Sequence, residues 1–282
     1  MLIKKKHILA QILMTIILGS PVVMLSCQGS SDKENNGKSN PVSNDFQSNT
    51  DNRSIMVLIP EGKFIFGNSH PDLSGIPPQL QKLRKWGEDQ RPQQNIFLPA
   101  FYIDQYEVTH EQYQKFKKHH AFSEGKNNHP AVNVNWFDAK AYCESLGKRL
   151  PTEEEWEKAA RGPNGNIFSW GNKFDKDKAN SGFSKIASSS PAGTFPKDVS
   201  FYNVYDMTGN VSEWTSSWYQ SYKGSKFDNT LFGENHKVSR GGSFQDMGHY
   251  ELEIFSTLTF RYFNKPEEWA GDTGFRCVKD IK

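Results

Sequence analysis

The residue pattern points to an α+β domain rich in loops, with only modest amounts of regular helix and sheet. Aromatic residues make up 13% of the 282-residue chain, while long aliphatic runs are scarce after the N-terminus. Such a composition suits many small aromatic clusters held by irregular backbone. Three short helices can be placed by their caps between Thr109 and Gly162. Beyond Gly162, Gly and Pro recur too often for long elements, so the chain reads as loops and short strands with no internal repeat.

Met1 to Ser26 has the form of an export signal. Lys4, Lys5 and Lys6 precede a nearly uncharged run from Ile8 to Met24, which ends in Met24-Leu25-Ser26-Cys27. That ending resembles a bacterial lipobox, so cleavage before Cys27 and lipid attachment to it are expected. The alternative is an uncleaved helical anchor, since the run is near the lower limit for spanning a bilayer; the small Ser26 before Cys27 favours lipidation. Residues 27–54 are rich in Ser, Asn, Gly, Asp and Lys and cannot bury enough surface to offset their ordering entropy. They read as a flexible tether to a membrane, with the folded domain at 55–282.

Within that domain, Ile55 to Phe66 is rich in β-formers around the turn signal Pro60-Glu61-Gly62, and an opening hairpin is expected. Asn68 to Pro92 reads as a long loop with a short helix at Gln79–Lys85, and Ile96 to Tyr106 as a strand. Thr109 and Gln112 form a capping box for a helix running to about His119. Asn135 caps a second helix that ends at Gly147, with Ala139, Tyr142, Cys143 and Leu146 on one face. Thr152 and Glu155 cap a third, which Gly162 closes.

Several chemistries are excluded or weakened. Lys and Arg number 34 against 32 Asp and Glu, so there is no electrostatic footprint for nucleic acid. His119, His120 and His129 lack a second pair at metal-ligand spacing and read as loop residues. Arg240-Gly241-Gly242-Ser243 has neither the Lys nor the glycine spacing of a phosphate loop. The stretch with most chemical content is Asn203-Val204-Tyr205-Asp206-Met207-Thr208-Gly209-Asn210-Val211-Ser212-Glu213-Trp214. There Gly209 permits a tight turn with positive φ, and Asn210 and Glu213 offer oxygen ligands of the kind calcium prefers. The competing reading is a turn whose Asn and Glu cap backbone groups.

Six separated blocks carry a resemblance to a known family. They are Met56 to Phe64, Phe101 to Thr109, Gly147 to Glu157, the Asn203 to Trp214 stretch, Arg240-Gly241-Gly242-Ser243-Phe244, and Gly274-Phe275-Arg276-Cys277. In this order they resemble the formylglycine-generating enzyme (sulfatase-modifying factor) family over roughly residues 55–282. The resemblance implies an elaborated C-type-lectin-like fold with calcium held by loops and a pocket near the C-terminal segment. By position it places one calcium on Asn210, Glu213 and a carbonyl near Thr208. It places a second at Asn180, where the short loop Ser181 to Ser190 lacks Asp and Glu, so loss of that site is expected. Candidate pocket residues are Trp214, Arg240, Ser243, Phe244, Asp246, His249 and Glu251.

The resemblance also implies copper held by two thiols soon after the Arg-Gly-Gly-Ser-aromatic block, a donor set that suits cuprous ion. From Gln245 to Arg276 there is no Cys, and Asp246 and Glu251 stand where the pair belongs. Copper and formylglycine-generating activity are therefore not expected. The domain is expected to be a lipid-anchored, non-catalytic module of the cell envelope that binds a protein, peptide or glycan or supports an envelope assembly. The alternative is an enzyme working by another route, with Asp246, His249 and Glu251 as its groups. Cys27 is assigned to lipid, so the other two of three cysteines, Cys143 and Cys277, form an even pair in an exported protein. Bridged members of the family join cysteines at these two places; two buried free thiols are the alternative.

Overall fold

The computed structural model describes residues 55–69, 87–245 and 253–281. The signal segment with Cys27, the tether at 28–54, the short helix expected at Gln79–Lys85, and Asp246, His249 and Glu251 lie outside the described residues.

Strands β1 (Met56–Ile59), β4 (Phe101–Asp104) and β9 (Val278–Asp280) form an antiparallel sheet in the order β1-β4-β9. Strands β2 (Gly62–Phe66) and β3 (Gln94–Leu98) pair antiparallel as a second sheet. The opening hairpin is thus corrected: β1 and β2 are adjacent in sequence but belong to different sheets. Likewise, the single strand expected over Ile96 to Tyr106 is two strands, parted at Pro99-Ala100, because Pro cannot donate to a ladder.

The helices follow their caps. Helix α1 (His110–Phe116) and helix α3 (Glu153–Arg161) each start from a complete capping box, on Thr109 and Thr152. Helix α2 (Trp136–Ser145) starts from Asn135, whose side chain accepts from the Asp138 N–H. Gly162, at φ 64°, ends α3 in a conformation that a side chain would resist. Ala139, Tyr142 and Cys143 are buried as expected, but Leu146 is 49% exposed. The helix has already closed at Ser145, so Leu146 falls off the apolar stripe. Cys143 and Cys277 are joined by a disulfide with their Cα atoms 5.7 Å apart, which ties α2 to the segment leading into β9.

The largest sheet holds β5 (Ser212–Trp218), β6 (Lys237–Arg240), β7 (Arg261–Asn264) and the two-residue β8 (Thr273–Gly274), in the order β7-β6-β5-β8. Register fixes two rows of side chains on it. Glu213, Arg240 and Arg261 lie opposite one another across β5, β6 and β7. Ser212 with Thr273, and Ser239 with Tyr262, occupy neighbouring positions. Because successive residues alternate faces, these two rows point to opposite sides. Among the described residues, no helix is long and apolar enough to cross a membrane.

Candidate functional site

One face of the large sheet is closed by charge. Arg276, fully buried, donates from Nε to Glu213 Oε2 at 2.7 Å and from Nη2 to Glu213 Oε1 at 2.6 Å. Trp156 of α3 donates from Nε1 to Glu213 Oε2 at 2.9 Å. Alongside, Glu153 accepts from Arg261, Arg240 and the Tyr222 hydroxyl, while Glu157 accepts from Arg240, Arg161 and the Gly67 N–H. Every one of these acids faces a cation at hydrogen-bond distance. This face is a satisfied ionic lattice under α3.

That lattice engages the groups expected to hold calcium at Asn210, Glu213 and Thr208. Both Glu213 oxygens are engaged, and a guanidinium stands where a cation would have to approach. The Thr208 carbonyl accepts from the Gly242 N–H at 3.2 Å. Asn210 Oδ1 accepts from the Ser190 N–H at 2.9 Å, and its Nδ2 donates to Glu107 Oε1 at 3.0 Å. These residues do not fit a calcium ion. Gly209 is also not the positive-φ residue; Asn210 (φ 69°) and Asp206 (φ 60°) are. Gly209 is needed for close approach instead, since a Cβ there would lie 2.6 Å from the Asn180 carbonyl oxygen. Asn180, at the second expected position, donates from Nδ2 to the Ser188 carbonyl and the Ser190 hydroxyl.

The residue that organises this turn was not singled out in the sequence. Asp198, 1% exposed, accepts from the Ser169 hydroxyl and from the Thr208 and Gly209 N–H groups at 2.6, 3.0 and 3.0 Å. Burial still pushes its carboxyl up to about 6. Asp206 is pushed up to about 7, by burial first and by Asp198 second. Glu107 is raised as well, again by burial first and then by Asp206. Glu107 Oε1 accepts from Asn210 Nδ2, and Asp206 Oδ2 accepts from the Gly193 N–H. Two neighbouring buried carboxyls of this kind resist ionising together.

A cleft of about 810 Å³ opens on the Ser239–Tyr262 side and wraps the β7 edge of the sheet, where Arg261 and Phe263 also line it. Ser212, Ser239, Tyr262 and Thr273 all line it, together with Phe255, Phe260, Phe263, Asp89, Asp228, Asp272 and Gln245. Of the pocket residues expected from sequence, Ser243 borders this cleft by donating to Asp272 Oδ2 at 3.0 Å. Trp214 and Arg240 do not belong to it. Trp214 is buried in the core beside Val134 and Phe275, and Arg240 is part of the ionic lattice. Phe244 is half-buried, its N–H bonded to the Asn210 carbonyl. The aromatic run Phe260-Arg261-Tyr262-Phe263 was the available signal for the cleft; it was passed over because alternation in so short a strand marks no face.

Two further polar clusters lie among the described residues. Lys237 Nζ sits 3.5 Å from the Trp218 ring centre and 4.2 Å from that of Trp136, and burial lowers it to about 8. His120 is not a plain loop histidine, since its Nε2 lies 2.8 Å from Nδ1 of His110, which burial lowers to about 4.

Comparison with known proteins places the fold and the six blocks together. The family model for the sulfatase-modifying factor enzyme 1-like domain matches residues 42–281. The chain is 39% identical over 163 residues to inactive C-alpha-formylglycine-generating enzyme 2 of Bos taurus, covering 53% of this chain and 50% of that one. It is 32% identical over 279 residues to the uncharacterised protein YfmG of Bacillus subtilis, covering 80% and 54%. The chain thus spans about half the length of these relatives. Among solved structures, PvdO from Pseudomonas aeruginosa superposes with a TM-score of 0.61 at 25% identity, over 80% of this chain and 94% of that one. The loop-rich α+β architecture is consistent with the C-type-lectin-like arrangement expected. This chain belongs to the sulfatase-modifying factor enzyme 1-like family.

Proposed function

We propose that this is a non-catalytic member of its family, a lipid-anchored module of the cell envelope that binds a protein, peptide or glycan in the cleft beside Ser243. The observation that carries the reading is the state of the cysteines. The chain has three; Cys143 and Cys277 are bonded to each other, and Cys27 ends the signal segment. The thiolate pair that would hold cuprous ion and pass electrons to oxygen is missing from the stretch after Ser243. Similarity to a relative named as inactive supports the same reading. What remains is a preformed cleft whose volume falls in the usual range for ligand sites, about 300–1,000 Å³.

The test is incubation of the protein with copper, oxygen and a cysteine-containing sulfatase peptide, followed by mass spectrometry. No aldehyde is expected; aldehyde formed at a rate proportional to protein would overturn the reading. Anchoring is tested separately by Cys27→Ala, which is expected to release or mislocalise the protein; unchanged membrane retention and unchanged size would count against lipidation.

A further inference from the structure

We propose that the cleft takes an uncharged carbohydrate, an inference that rests on the binding-module reading and names its ligand class. The floor supplies the first argument. Ser212, Ser239, Tyr262 and Thr273 place one hydroxyl from each of the four strands along the cleft. The Ser212 hydroxyl donates to the Gly241 carbonyl and that of Tyr262 donates to the Phe255 carbonyl. The Ser212 oxygen is left to accept. Ser239 is fully buried, yet its hydroxyl has no hydrogen-bond partner. A buried hydroxyl without a partner is costly unless a ligand supplies one. A ligand that offers closely spaced hydroxyls, each both donor and acceptor, matches this floor.

The walls supply the second. Phe260 packs edge-on against Phe255 and Tyr262, with ring centres 5.0 and 4.7 Å away, and Phe263 stacks on Tyr219 at 4.2 Å. Phe260 and Phe263 both line the cleft and are only half-buried. Rings fixed by their neighbours present rigid apolar faces at little entropic cost. The C–H face of a sugar ring packs on such a surface, while its hydroxyl edge reaches the floor.

Charge decides between ligand classes. Asp89, Asp228 and Asp272 line the cleft, and the one cation among its described lining residues, Arg261, is held by Glu153. Anionic ligands such as uronates, sulfated sugars or phosphates are therefore repelled. A cationic peptide is less well served, because two of the three acids are committed. Asp89 accepts from the Tyr219 hydroxyl at 2.9 Å with Arg261 close by, and Asp272 accepts from Ser243. Only the exposed Asp228 is left to meet an ammonium or guanidinium group, and it is not enclosed.

The full chain in mild detergent should be screened against three probe sets: neutral hexose and N-acetylhexosamine oligosaccharides, the same backbones carrying uronate or sulfate, and Lys- and Arg-containing peptides. Hits are quantified by calorimetry on the parent protein, Ser239→Ala and Phe260→Ala. The expected result is binding of a neutral oligosaccharide and rejection of its acidic counterpart. Ser239→Ala should weaken binding about fivefold or more with an unchanged or raised melting temperature, because it deletes a hydroxyl that is unpaired in the free protein. Preference for acidic sugars, or affinity unchanged in both variants, overturns the assignment. Binding of basic peptides alone would defeat the carbohydrate assignment and leave the binding-module reading standing, whereas no binding by any probe set counts against both.

Discussion

The two faces of the β7-β6-β5-β8 sheet are built from neighbouring residues and treat polarity in opposite ways. On one face Glu213, Arg240 and Arg261 are buried, and every acid is matched to a guanidinium. On the other, one residue away, Ser212, Ser239 and Tyr262 present hydroxyls to a cleft, and one of them is unmatched. The difference teaches where function resides. Charge buried with its partner locks the fold, because removing either member strands the other in low dielectric. A neutral polar group left open on a rigid floor is the kind of feature a ligand completes. Ion pairing against α3 thus fixes the sheet, and the fixed sheet holds the cleft floor in place.

The sharpest way to break that contrast is Glu213→Ala. It strands Arg276 in the core and should cost about 3–5 kcal/mol, read from urea unfolding. The loss is expected to be the same with and without calcium or chelator. A loss confined to calcium-containing buffer would restore the metal reading of Glu213.

Removing the disulfide comes next. Paired replacement of Cys143 and Cys277 by Ser should cost about 2–5 kcal/mol, since the bridge closes a loop across 134 positions of sequence. Equal stability of the oxidised and reduced protein would show that the segment bearing Phe275 and Arg276 is held by packing and ion pairs alone.

The buried carboxyls of Glu107 and Asp206 give a pH-dependent effect. Asp206 is raised from 3.8 to about 7 in the folded protein. The folded state therefore binds its proton more tightly than the unfolded chain does. This contribution is fully present below pH 3.8 and is lost as pH rises toward 7. Stability is expected to fall by up to about 4 kcal/mol across that window from this group, and Asp206→Asn should flatten the profile. Asn also suits the positive φ at this position. A profile of unchanged slope in the variant would assign the titration to Asp198 instead.

The smallest effect is expected on the open face. Ser239→Ala should change unfolding free energy by about 0.5 kcal/mol or less, or stabilise the protein, because no hydrogen bond is lost. A loss above about 1 kcal/mol would mean that Ser239 has an internal partner, and the contrast between the faces would weaken.

Local chemistry was legible in the chain. The capping boxes at Thr109 and Thr152, the Asn135 cap and the Gly162 stop each depend on residues within four positions, and each helix begins where its cap says. The six blocks and the pairing of Cys143 with Cys277 were equally readable. What the chain could not show is which distant residue each polar side chain meets. Glu213 has the composition of a calcium ligand beside Asn210, and only the arrival of Arg276, 63 residues later, makes it a counter-ion. The same holds for β1 and β2, which a turn signal joins but whose hydrogen bonds run to β4 and β3. The cleft is the extreme case, since its floor needs Ser212, Ser239, Tyr262 and Thr273 from four strands brought level by register. Sequence determined the elements and their ends, because those are set by short-range sterics and hydrogen bonds. Tertiary structure alone decided which charges cancel and which hydroxyls stay open, because desolvation and partner geometry arise only when distant segments pack.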